Sequence, residues 1–387
     1  MKPALRVMHL TGGSGPDALG VGRAVYNLAR AQRALGHDVS IVSEQAEHID
    51  ESRSLTADRS PLLAARTRLA RRTRQVAPTL ARELVEQRLD VIHLHSIHVP
   101  ENVSLARYLR NADVPYCVTI HGGLSRVAQQ RGRVKKAAMW WLGEGQYLNH
   151  ALFIHALTCE EARDIGAYGV TAPTVVAPNG IDAETLPRPV DPCALFARVP
   201  ELAGHRVLMF MGRVAPIQKG LDLLLHGLAL ANLPDWRLVL LGPDWRGGRA
   251  WLERLAEQLG LRSQLTFFDR ECPQRCADLM AGADAFVHTS RWEGMSLSVL
   301  EAALWGKPCL LTRAADPNGS LGDQGGALIV DGAPEEIAAG LRKMGGLDRA
   351  ALLAMGQRAH QTVVSQYTWN RAASKLIDAY RDGLDRR

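Results

Sequence analysis

The sequence predicts an α/β protein with two domains, each built on a Rossmann-like parallel sheet. In both halves of the chain, short apolar runs typical of buried strands alternate with longer segments of helical spacing. This alternation predicts parallel strands joined by helices. A length of 387 residues suits two such domains, and a hydrophobic content of 47% can fill two cores.

The bulk composition excludes several classes of protein. The chain has 46 basic and 40 acidic residues, and the net charge of +6 does not by itself indicate a nucleic-acid partner. No apolar run approaches the ~18 residues that a membrane-spanning helix needs. The first residues lead directly into a strand pattern, so we expect no signal peptide and a cytoplasmic protein. Six cysteines, most of them in apolar runs, are interpreted as reduced, buried thiols, at positions 117, 159, 193, 272, 276 and 309.

The first half begins with a strand, a glycine-rich loop and a helix. The loop contains Gly12 and Gly13, and an amphipathic helix follows over residues 20–35. A glycine-rich first turn is where such sheets bind nucleotides. The dinucleotide-binding fingerprint fits poorly, because the acidic candidate Glu44 lies beyond the usual spacing of ~20 residues. Strands are predicted in this half at residues 5–10, 37–42, 90–95, 115–120, 151–157 and 174–177.

Histidines follow two of these strands. His121 comes at the end of the fourth strand, before two glycines, on the side of an open sheet where ligands bind. We interpret it as a catalytic candidate, with a polar strand-end residue as the alternative. His93, His95 and His98 permit a metal hypothesis, since the first two share one face of a strand. No carboxylate or cysteine stands nearby in the sequence, so core or cleft-lining histidines are favoured.

Two basic segments also lie in the first half. Between Arg53 and Arg88, nine arginines stand against three acidic residues, with apolar residues at near-helical spacing. Such a helix can lie on an anionic membrane surface, or it can be an ordinary helix with a solvated face. The membrane alternative predicts peripheral contact with the inner face of the plasma membrane. A second basic cluster precedes Trp140 and Trp141 and consists of Arg126, Arg131, Arg133, Lys135 and Lys136.

The middle of the chain is rich in proline, at positions 187, 189, 192 and 200. We predict an exposed linker over 186–205, between an N-terminal domain at 1–185 and a C-terminal domain at 206–366. The last residues, 367–387, have the pattern of an amphipathic helix. Strands are predicted in the second half at residues 206–211, 237–242, 265–268, 284–288, 307–312 and 327–330.

The loop after the first strand of the second half carries two cations. Arg213 and Lys219 lie six residues apart, between a strand and a helix. Arginine offers a bidentate fork and lysine a mobile point charge, so together they can clamp a diphosphate. Cations that grip a departing phosphate more strongly in the transition state lower the barrier to reaction. Two ordinary surface cations are the alternative.

The segment 290–301 is the other candidate for ligand binding. It joins a buried strand to a helix through a loop that contains Gly294. The open end of a helix offers unpaired N–H groups to a phosphate, and Glu293 and Glu301 can accept hydrogen bonds from sugar hydroxyls. The alternative is a capping box formed by Ser298 and Glu301, with Glu293 as a solvated loop residue.

This arrangement resembles one family. Glu293-Gly294, the seven residues between the two glutamates, Glu301-Ala302-Ala303 and Gly306-Lys307-Pro308 resemble the signature of family 4 retaining glycosyltransferases. The Gly-Arg…Lys-Gly frame of residues 212–220 matches that family too. The motifs occur in the family's order, as Gly12-Gly13, His121, Arg213…Lys219 and Glu293…Glu301.

The resemblance implies the GT-B fold, with two Rossmann-like domains facing a central cleft and the last helix crossing back to the first domain. It implies transfer of a hexosyl-type sugar from a nucleotide diphosphate-sugar to a glycan, lipid-linked or small-molecule acceptor, in cell-surface polysaccharide or glycolipid biosynthesis. The catalytic residues would be His121, Arg213, Lys219 and Glu293. The donor would further contact Gly12, Gly13, Gly294, Ser296, Leu297, Ser298 and Glu301.

No Asp-x-Asp motif occurs, so we expect cations rather than a divalent metal to stabilise the leaving group. We expect no metal, no cofactor beyond the nucleotide-sugar co-substrate, and no nucleic-acid partner. Two other classes of protein stay open. One is a nicotinamide-dependent oxidoreductase, and the other is a non-catalytic sugar-nucleotide-binding partner of a membrane assembly. An epimerase or phosphorylase is an alternative within the same fold.

Overall fold

The computed structural model describes residues 3–12, 20–43, 82, 84–125, 129, 133–181 and 190–387. The chain divides into two compact units. The first comprises Met1–Gly180 together with Trp369–Arg387, and the second comprises Ile181–Thr368. Gly13, the arginine-rich residues 53–81, Arg126 and Arg131 lie outside the described residues.

The first unit holds a six-stranded parallel sheet. Its strand order is β2-β1-β3-β4-β5-β6, so that Val7 of β1 lies opposite both Val39 of β2 and Val91 of β3. The order reverses between β1 and β3, and open parallel sheets bind ligands beyond the carboxyl ends of strands at such a switch point. The strands are β1 (Arg6–Thr11), β2 (Asp38–Ser43), β3 (Val91–His95), β4 (Tyr116–Thr119), β5 (Ile154–Ala156) and β6 (Thr174–Val176).

The second unit holds another six-stranded parallel sheet, with the order β12-β11-β10-β7-β8-β9. Its switch point lies between β7 and β10, where Ala285 pairs with Leu208. The carboxyl ends of these two strands lead into the predicted cation loop and into the glutamate segment. The strands are β7 (Arg206–Met211), β8 (Trp236–Leu241), β9 (Leu265–Phe268), β10 (Ala285–His288), β11 (Cys309–Thr312) and β12 (Ala327–Val330).

Helices connect most of the strands, as the alternating pattern predicts. They are α1 (Val21–Ala34), α2 (Pro100–Asn111), α3 (Arg133–Met139), α4 (Gly145–Asn149), α5 (Cys159–Ala167), α6 (Ala194–Arg198), α7 (Leu221–Ala231), α8 (Gly248–Gln258), α9 (Pro273–Ala281), α10 (Leu297–Leu304), α11 (Ser320–Asp323), α12 (Pro334–Gly345), α13 (Arg349–Gln366) and α14 (Trp369–Asp385). A π-helical turn, Trp140–Glu144, joins α3 to α4. None of the helices in the described ranges has the length and apolarity to cross a membrane.

All twelve predicted strands are confirmed, with ends that differ by three residues or fewer. The strands are readable because most are buried on both faces and their residues form nearly continuous apolar runs. Leu94 and Ile154 are fully buried in the core of the first unit, and Leu238 and Val287 in that of the second. The prediction of two Rossmann-like parallel sheets is therefore confirmed.

The proline-rich segment differs from the exposed linker that we predicted. Residues 182–189 lie outside the described part, but α6 and a 3₁₀ turn at Pro200–Leu202 follow. Leu195 of α6 is fully buried and Leu202 is 1% exposed. Pro200 occupies the first position of its turn, where the missing N–H of proline costs nothing. Pro192 and Pro200 are themselves exposed, so the described part of the segment is exposed at its prolines and packed at Leu195 and Leu202.

The final helix, α14, belongs to the first unit. Its Tyr380 is fully buried, stacks on Phe153 at 5.8 Å between ring centroids, and accepts a hydrogen bond from Gln32 of α1. The two ends of the chain thus meet in one core.

The cysteines correct another expectation. All six are free thiols, but only Cys117 and Cys309 are buried. Cys159, Cys193 and Cys272 are exposed, because they lie at or next to the first residues of helices rather than within strands.

Candidate active site

In the second unit, the cation loop ends at Gly220, before α7, and Gly220 packs directly against Thr289, the residue after β10. Gly220 has a φ of +60°, and a Cβ built there would lie 1.9 Å from the carbonyl oxygen of Thr289. The Thr289 hydroxyl donates to the Gly220 carbonyl at 2.9 Å. Only glycine permits so close an approach at this backbone conformation. The contact brings the cation loop beside the glutamate segment.

The cation loop and the glutamate segment share an ion pair. The Lys219 ammonium lies 2.5 Å from Oε1 of Glu293, and the two side chains are only 10% and 9% exposed. An ammonium has three N–H donors, of which Glu293 takes one. A buried pair of this kind persists because each charge would be costly without the other. Two residues that the sequence predicts separately for the site are therefore in direct contact, as a buried ion pair.

Glu293 is held further by Ser290, whose hydroxyl donates to the same Oε1 at 2.6 Å. Burial alone would raise the pKa of the Glu293 carboxyl, but the Lys219 charge and the hydrogen bonds from Lys219 and Ser290 hold that pKa below its ordinary value. Glu293 is thus a carboxylate at neutral pH. Both hydrogen bonds end on Oε1, so Oε2 can accept from other hydroxyls.

A buried histidine links Glu293 to the start of α10. Nδ1 of His288 lies 3.1 Å from the Ser290 hydroxyl, and Nε2 lies 3.2 Å from the Ser296 hydroxyl. Because Ser290 donates its proton to Glu293, it accepts from Nδ1–H of His288, and Nε2 then accepts from Ser296. Burial and the nearby Lys219 charge lower the pKa of His288 to about 3, so the ring is neutral. The hydroxyl of Ser298 lies 3.0 Å from that of Ser296 and is the last member of this series of hydrogen bonds.

Arg213 lies two residues beyond the end of β7, after Gly212, and is half-buried. Its guanidinium lies over the ring of Trp245, 4.7 Å from the centroid. The side chain of Lys219 runs past Gly212, where its Cε would touch a Cβ at 4.0 Å. The stacked ring orients a planar guanidinium without using its N–H donors, which stay available for phosphate oxygens.

The start of α10 corrects one alternative. The N-cap is Ser296, and its side chain makes no capping hydrogen bond. Ser298 lies inside the helix, so the capping box proposed for Ser298 with Glu301 is wrong. The hydroxyl of Ser296 is instead hydrogen-bonded to His288, so it does not cap the first N–H groups of the helix, which have no intrahelical acceptor in any α-helix. Glu301 follows in the second turn and is half-buried, and Gly294 and Leu297 occupy the loop and the first helical position.

In the first unit, His121 lies just beyond β4, after Ile120, in a strained backbone conformation. Its φ is +55°, a left-handed value that is uncommon for histidine. The loop is anchored by Glu161, whose two carboxylate oxygens accept from the N–H groups of Gly122 and Leu157 at 2.5 Å each. Burial raises the pKa of Glu161 to about 6, against the lowering effect of these two hydrogen bonds. Gly12 directly follows the end of β1 and is exposed.

The histidines of β3 are core residues of the first unit. The rings of His93 and His95 stack at 4.4 Å, which confirms that they share one face, and His9 of β1 joins them at 2.9 Å from His95. His98 points elsewhere and lies 2.8 Å from the buried carboxylate of Glu144. Glu144 is 46 residues away along the chain, so its contact with His98 has no signal in the local sequence.

Two family descriptions match the chain. Glycosyltransferase Family 4 matches residues 19–185, and Glycosyl transferases group 1 matches residues 195–382. The D-inositol 3-phosphate glycosyltransferase of Xylanimonas cellulosilytica is 30% identical over 320 residues, which cover 79% of this chain and 69% of the relative. The chain belongs to glycosyltransferase family 4. This family transfers glycosyl groups from nucleotide sugars. The alternative of a nicotinamide-dependent oxidoreductase is therefore wrong.

This glycosyltransferase has relatives that match nearly its whole length. The GDP-mannose:cellobiosyl-diphosphopolyprenol alpha-mannosyltransferase of Xanthomonas campestris is 26% identical, over 98% of this chain and 97% of the relative. Among solved structures, Anabaena Alr3699/HepE in complex with UDP and glucose superimposes with a TM-score of 0.73 at 18% identity, over 97% of this chain and 100% of that one. The structural similarity shows the GT-B fold.

Sequence reasoning missed several polar residues of this glycosyltransferase. From the sequence, His288 is predicted only as the end of a strand and Tyr380 only as part of the final amphipathic helix, and no functional role is predicted for His9 or Gln32. A usable signal existed for the two histidines, since each stands in an otherwise apolar, buried strand. A polar side chain in such a place needs a hydrogen-bond partner.

Proposed function

We propose that this glycosyltransferase moves a hexosyl group from a nucleoside diphosphate-sugar to a lipid-linked or glycan acceptor, retaining the anomeric configuration and needing no divalent metal. The observation that carries the proposal is the Lys219–Glu293 pair at the switch point of the second unit. It joins a cation suited to the diphosphate with a carboxylate suited to the sugar.

The chemistry of the pair supports these roles. Two N–H donors of Lys219 remain for phosphate oxygens, and Oε2 of Glu293 remains for sugar hydroxyls. As the bond between sugar and phosphate breaks, negative charge grows on the diphosphate. Lys219 and Arg213 then bind it more tightly than in the ground state, which lowers the barrier.

The other donor contacts follow from the same arrangement. The N–H groups at the start of α10, around Ser296, Leu297 and Ser298, would bind phosphate, because a helix N-terminus carries partial positive charge. Glu301 would accept from the ribose hydroxyls, and Gly294 lets the loop approach the donor. In the first unit, Gly12 and Gly13 would approach the diphosphate and His121 the reacting sugar.

The relatives favour a lipid-linked acceptor. The mannosyltransferase whose name specifies a cellobiosyl-diphosphopolyprenol acceptor matches this chain over nearly its full length. A small phosphorylated acceptor is the second candidate, since D-inositol 3-phosphate glycosyltransferases are about as similar over a shorter span. A lipid-linked acceptor would require contact with a membrane surface.

An exposed apolar patch supports such a contact. It consists of Val134, Trp141 and Leu142, which are 86%, 85% and 72% exposed on α3 and the π-helical turn. Lys136 lies on the same stretch. Aromatic and apolar side chains beside cations suit the interface of an anionic membrane. Peripheral contact with the inner face of the plasma membrane is therefore part of the proposal.

The donor assignment is tested by thermal unfolding with UDP-, GDP- and ADP-sugars. A ligand at ~100 times its Kd stabilises the folded state by ~2.7 kcal/mol. Glu301→Ala should remove the shift for the true donor, whereas Glu257→Ala, at an exposed position of α8, should preserve it. Equal shifts in wild type and Glu301→Ala would contradict the ribose contact.

Assays of sugar transfer test three further parts of the proposal, which are retention of configuration, independence of metal and catalysis itself. The anomeric configuration of the product should match that of the donor by NMR, and excess EDTA should leave the rate unchanged. Donor binding without transfer to any lipid-linked or soluble acceptor would favour the non-catalytic alternative. An epimerised donor, or consumption of inorganic phosphate, would favour an epimerase or a phosphorylase.

The membrane contact is tested by sedimentation with vesicles that contain phosphatidylglycerol. Trp141→Ala together with Leu142→Ala should reduce binding, and added salt should weaken it by screening. Leu353→Ala, at a position of α13 that is 56% exposed, is the control. If vesicle binding is unchanged both in the Trp141→Ala, Leu142→Ala variant and on addition of salt, the assignment of this patch as the membrane contact is wrong.

A further inference from the structure

A series of hydrogen bonds runs through the core of the first unit. One group in it determines the direction of the series, that is, which atom of each hydrogen bond donates the proton and which accepts it. Nε2 of His155 lies 2.7 Å from the carbonyl oxygen of Ala177, which can only accept. Nε2 must therefore carry the proton. In a neutral ring Nδ1 then accepts, and its partner, at 2.8 Å, is the hydroxyl of Thr119.

The direction passes from Thr119 to Tyr380. Since Thr119 donates its only proton to His155, it accepts from Nε2–H of His93 at 2.6 Å. Nδ1 of His93 then accepts from the phenol of Tyr380, also at 2.6 Å. The phenol oxygen in turn accepts from the side-chain N–H of Gln32 at 3.2 Å.

Gln32 carries the direction onward to His121. Its amide nitrogen faces Tyr380, so its oxygen accepts from Nε2–H of His9 at 2.7 Å. Nδ1 of His9 accepts from Nε2–H of His95 at 2.9 Å, and Nδ1 of His95 accepts from Nε2–H of His121 at 3.0 Å. We call this series, from His121 to the Ala177 carbonyl, the histidine chain.

The deduction needs neutral rings, and burial provides them. Removal from water lowers the pKa of His9 and His155 to about 4 and that of His121 to about 3, and it holds the pKa values of His93 and His95 well below the ordinary range. Each ring therefore has one donor and one acceptor at neutral pH. Only one arrangement of protons satisfies every contact.

We propose that the histidine chain fixes His121 as the Nε2–H tautomer, so that its Nδ1 accepts a hydrogen bond from a hydroxyl of the donor sugar. This rests on the proposed function, in which His121 approaches that sugar. His95 and His9 are positioning residues, because they act through His121. The left-handed backbone of His121 and the anchoring of Gly122 by Glu161 keep the ring where His95 can reach it.

A metal site is the competing arrangement for the same residues. Ring nitrogens of His9, His93 and His95 lie within 4.8 Å of one another. A metal would need the Nδ1 lone pairs of these three rings, and the histidine chain already uses them to accept hydrogen bonds from His95, Tyr380 and His121. The complete match of donors to acceptors favours the hydrogen-bonded arrangement.

The tautomers can be read directly from the wild-type protein. Two-bond ¹H–¹⁵N spectra of the uniformly labelled full chain separate protonated from unprotonated ring nitrogens. We expect the Nε2–H form for His9, His93, His95, His121 and His155, unchanged when Zn²⁺ is added. An Nδ1–H or doubly protonated His121 at neutral pH would overturn the proposal. So would a Zn²⁺-dependent shift of His9, His93 and His95.

Variants at position 95 test the positioning role. His95→Leu cannot accept from His121, and kcat should fall about tenfold, the value of one hydrogen bond, with the KM of the acceptor unchanged. His95→Gln can accept and donate, and should restore most of the rate. The His121 tautomer should be lost in the leucine variant and kept in the glutamine variant. Equal rates and equal spectra for the two would contradict the role.

Sugar analogues test the acceptor role of Nδ1. A series of donors with single deoxy or fluoro replacements is titrated against wild type and His121→Ala. Fluorine can accept weakly but cannot donate, so at one position both replacements should weaken wild-type binding about tenfold and leave the variant unaffected. If the fluoro analogue alone keeps full affinity, His121 donates and the proposal fails. If His121→Ala transfers sugar at the wild-type rate, the catalytic role of His121 fails while the tautomer result stands.

Discussion

The Lys219 ammonium lies 2.5 Å from the Glu293 carboxylate, although 74 residues separate them in sequence. The pair sits where β7 and β10 end, and His288 connects it to the start of α10. A cation, a carboxylate and a helix N-terminus are thus held by one hydrogen-bonded network. A change at one of these groups should therefore be felt at the others.

Removing the lysine charge should destabilise the second unit. Lys219→Met leaves Glu293 buried without its partner, which costs about 3–5 kcal/mol at neutral pH. Adding Glu293→Gln to the Lys219→Met variant should recover the stability, because no unpaired charge stays buried. The activity should not recover, because both charged groups of the site are gone. Urea unfolding and the transfer rate measure the two effects.

The same substitution changes the pH dependence of stability. In wild type the lowered pKa of Glu293 contributes stability above the ordinary carboxyl pKa, and this is lost as the pH falls through the folded value. In Lys219→Met the pKa should rise, so that acidification restores stability. A variant that also weakens on acidification would count against the pairing.

Two glycines provide a matched test of the close contact between Gly220 and Thr289. Gly220 and Gly247 both precede a helix with positive φ, +60° and +78°. Gly247→Ala meets nothing within 4 Å and should cost only about 1–2 kcal/mol of backbone strain. Gly220→Ala must also push against the Thr289 carbonyl, which adds ~1–3 kcal/mol and displaces Lys219. Equal unfolding midpoints for the two variants would show that the contact is unimportant.

His288→Phe keeps the ring volume and removes both hydrogen bonds. The hydroxyls of Ser290 and Ser296 lose a partner, and we expect a stability loss of about 1–3 kcal/mol and about tenfold weaker donor binding. His226→Phe, on the exposed surface of α7, is the control. Calorimetric donor titration distinguishes this result from a purely structural role, in which binding per folded molecule would not change.

The buried histidines should make the protein sensitive to acid. The folded pKa of His155 is about 4, below its ordinary value of 6.5, so the unfolded chain binds the proton first. Stability is therefore lost as the pH falls from 6.5 towards 4, by about 3 kcal/mol for this residue. His155→Gln should flatten the slope of stability against pH over this window. His226→Gln should leave the slope as in wild type.

Much of the fold was predictable, because most strands are buried on both faces and appear as apolar runs. The pairing of Lys219 with Glu293 was not, since each was recognised separately and a contact across 74 residues has no local signal. The start of α10 was misjudged for a related reason. Ser296 and Ser298 are both plausible caps in sequence, and only the contact with His288 shows how the first is used.

The histidine chain was the least accessible feature. His93 and His95 were visible as a pair, but their partners come from β1, α1 and α14. Tyr380 is 287 residues from His93, and its phenol connects the part of the series fixed by the Ala177 carbonyl to Gln32 and His9. Residues joined by folding alone cannot be grouped from one sequence.

The position of α14 affects how the protein is made. Tyr380 enters the core of the first unit, so that unit cannot finish folding while the ribosome is still synthesising the second. A nascent chain shorter than about 380 residues leaves Gln32 and His93 facing a gap where the phenol belongs. Premature termination anywhere in the second unit should therefore yield an N-terminal fragment that chaperones retain and proteases remove.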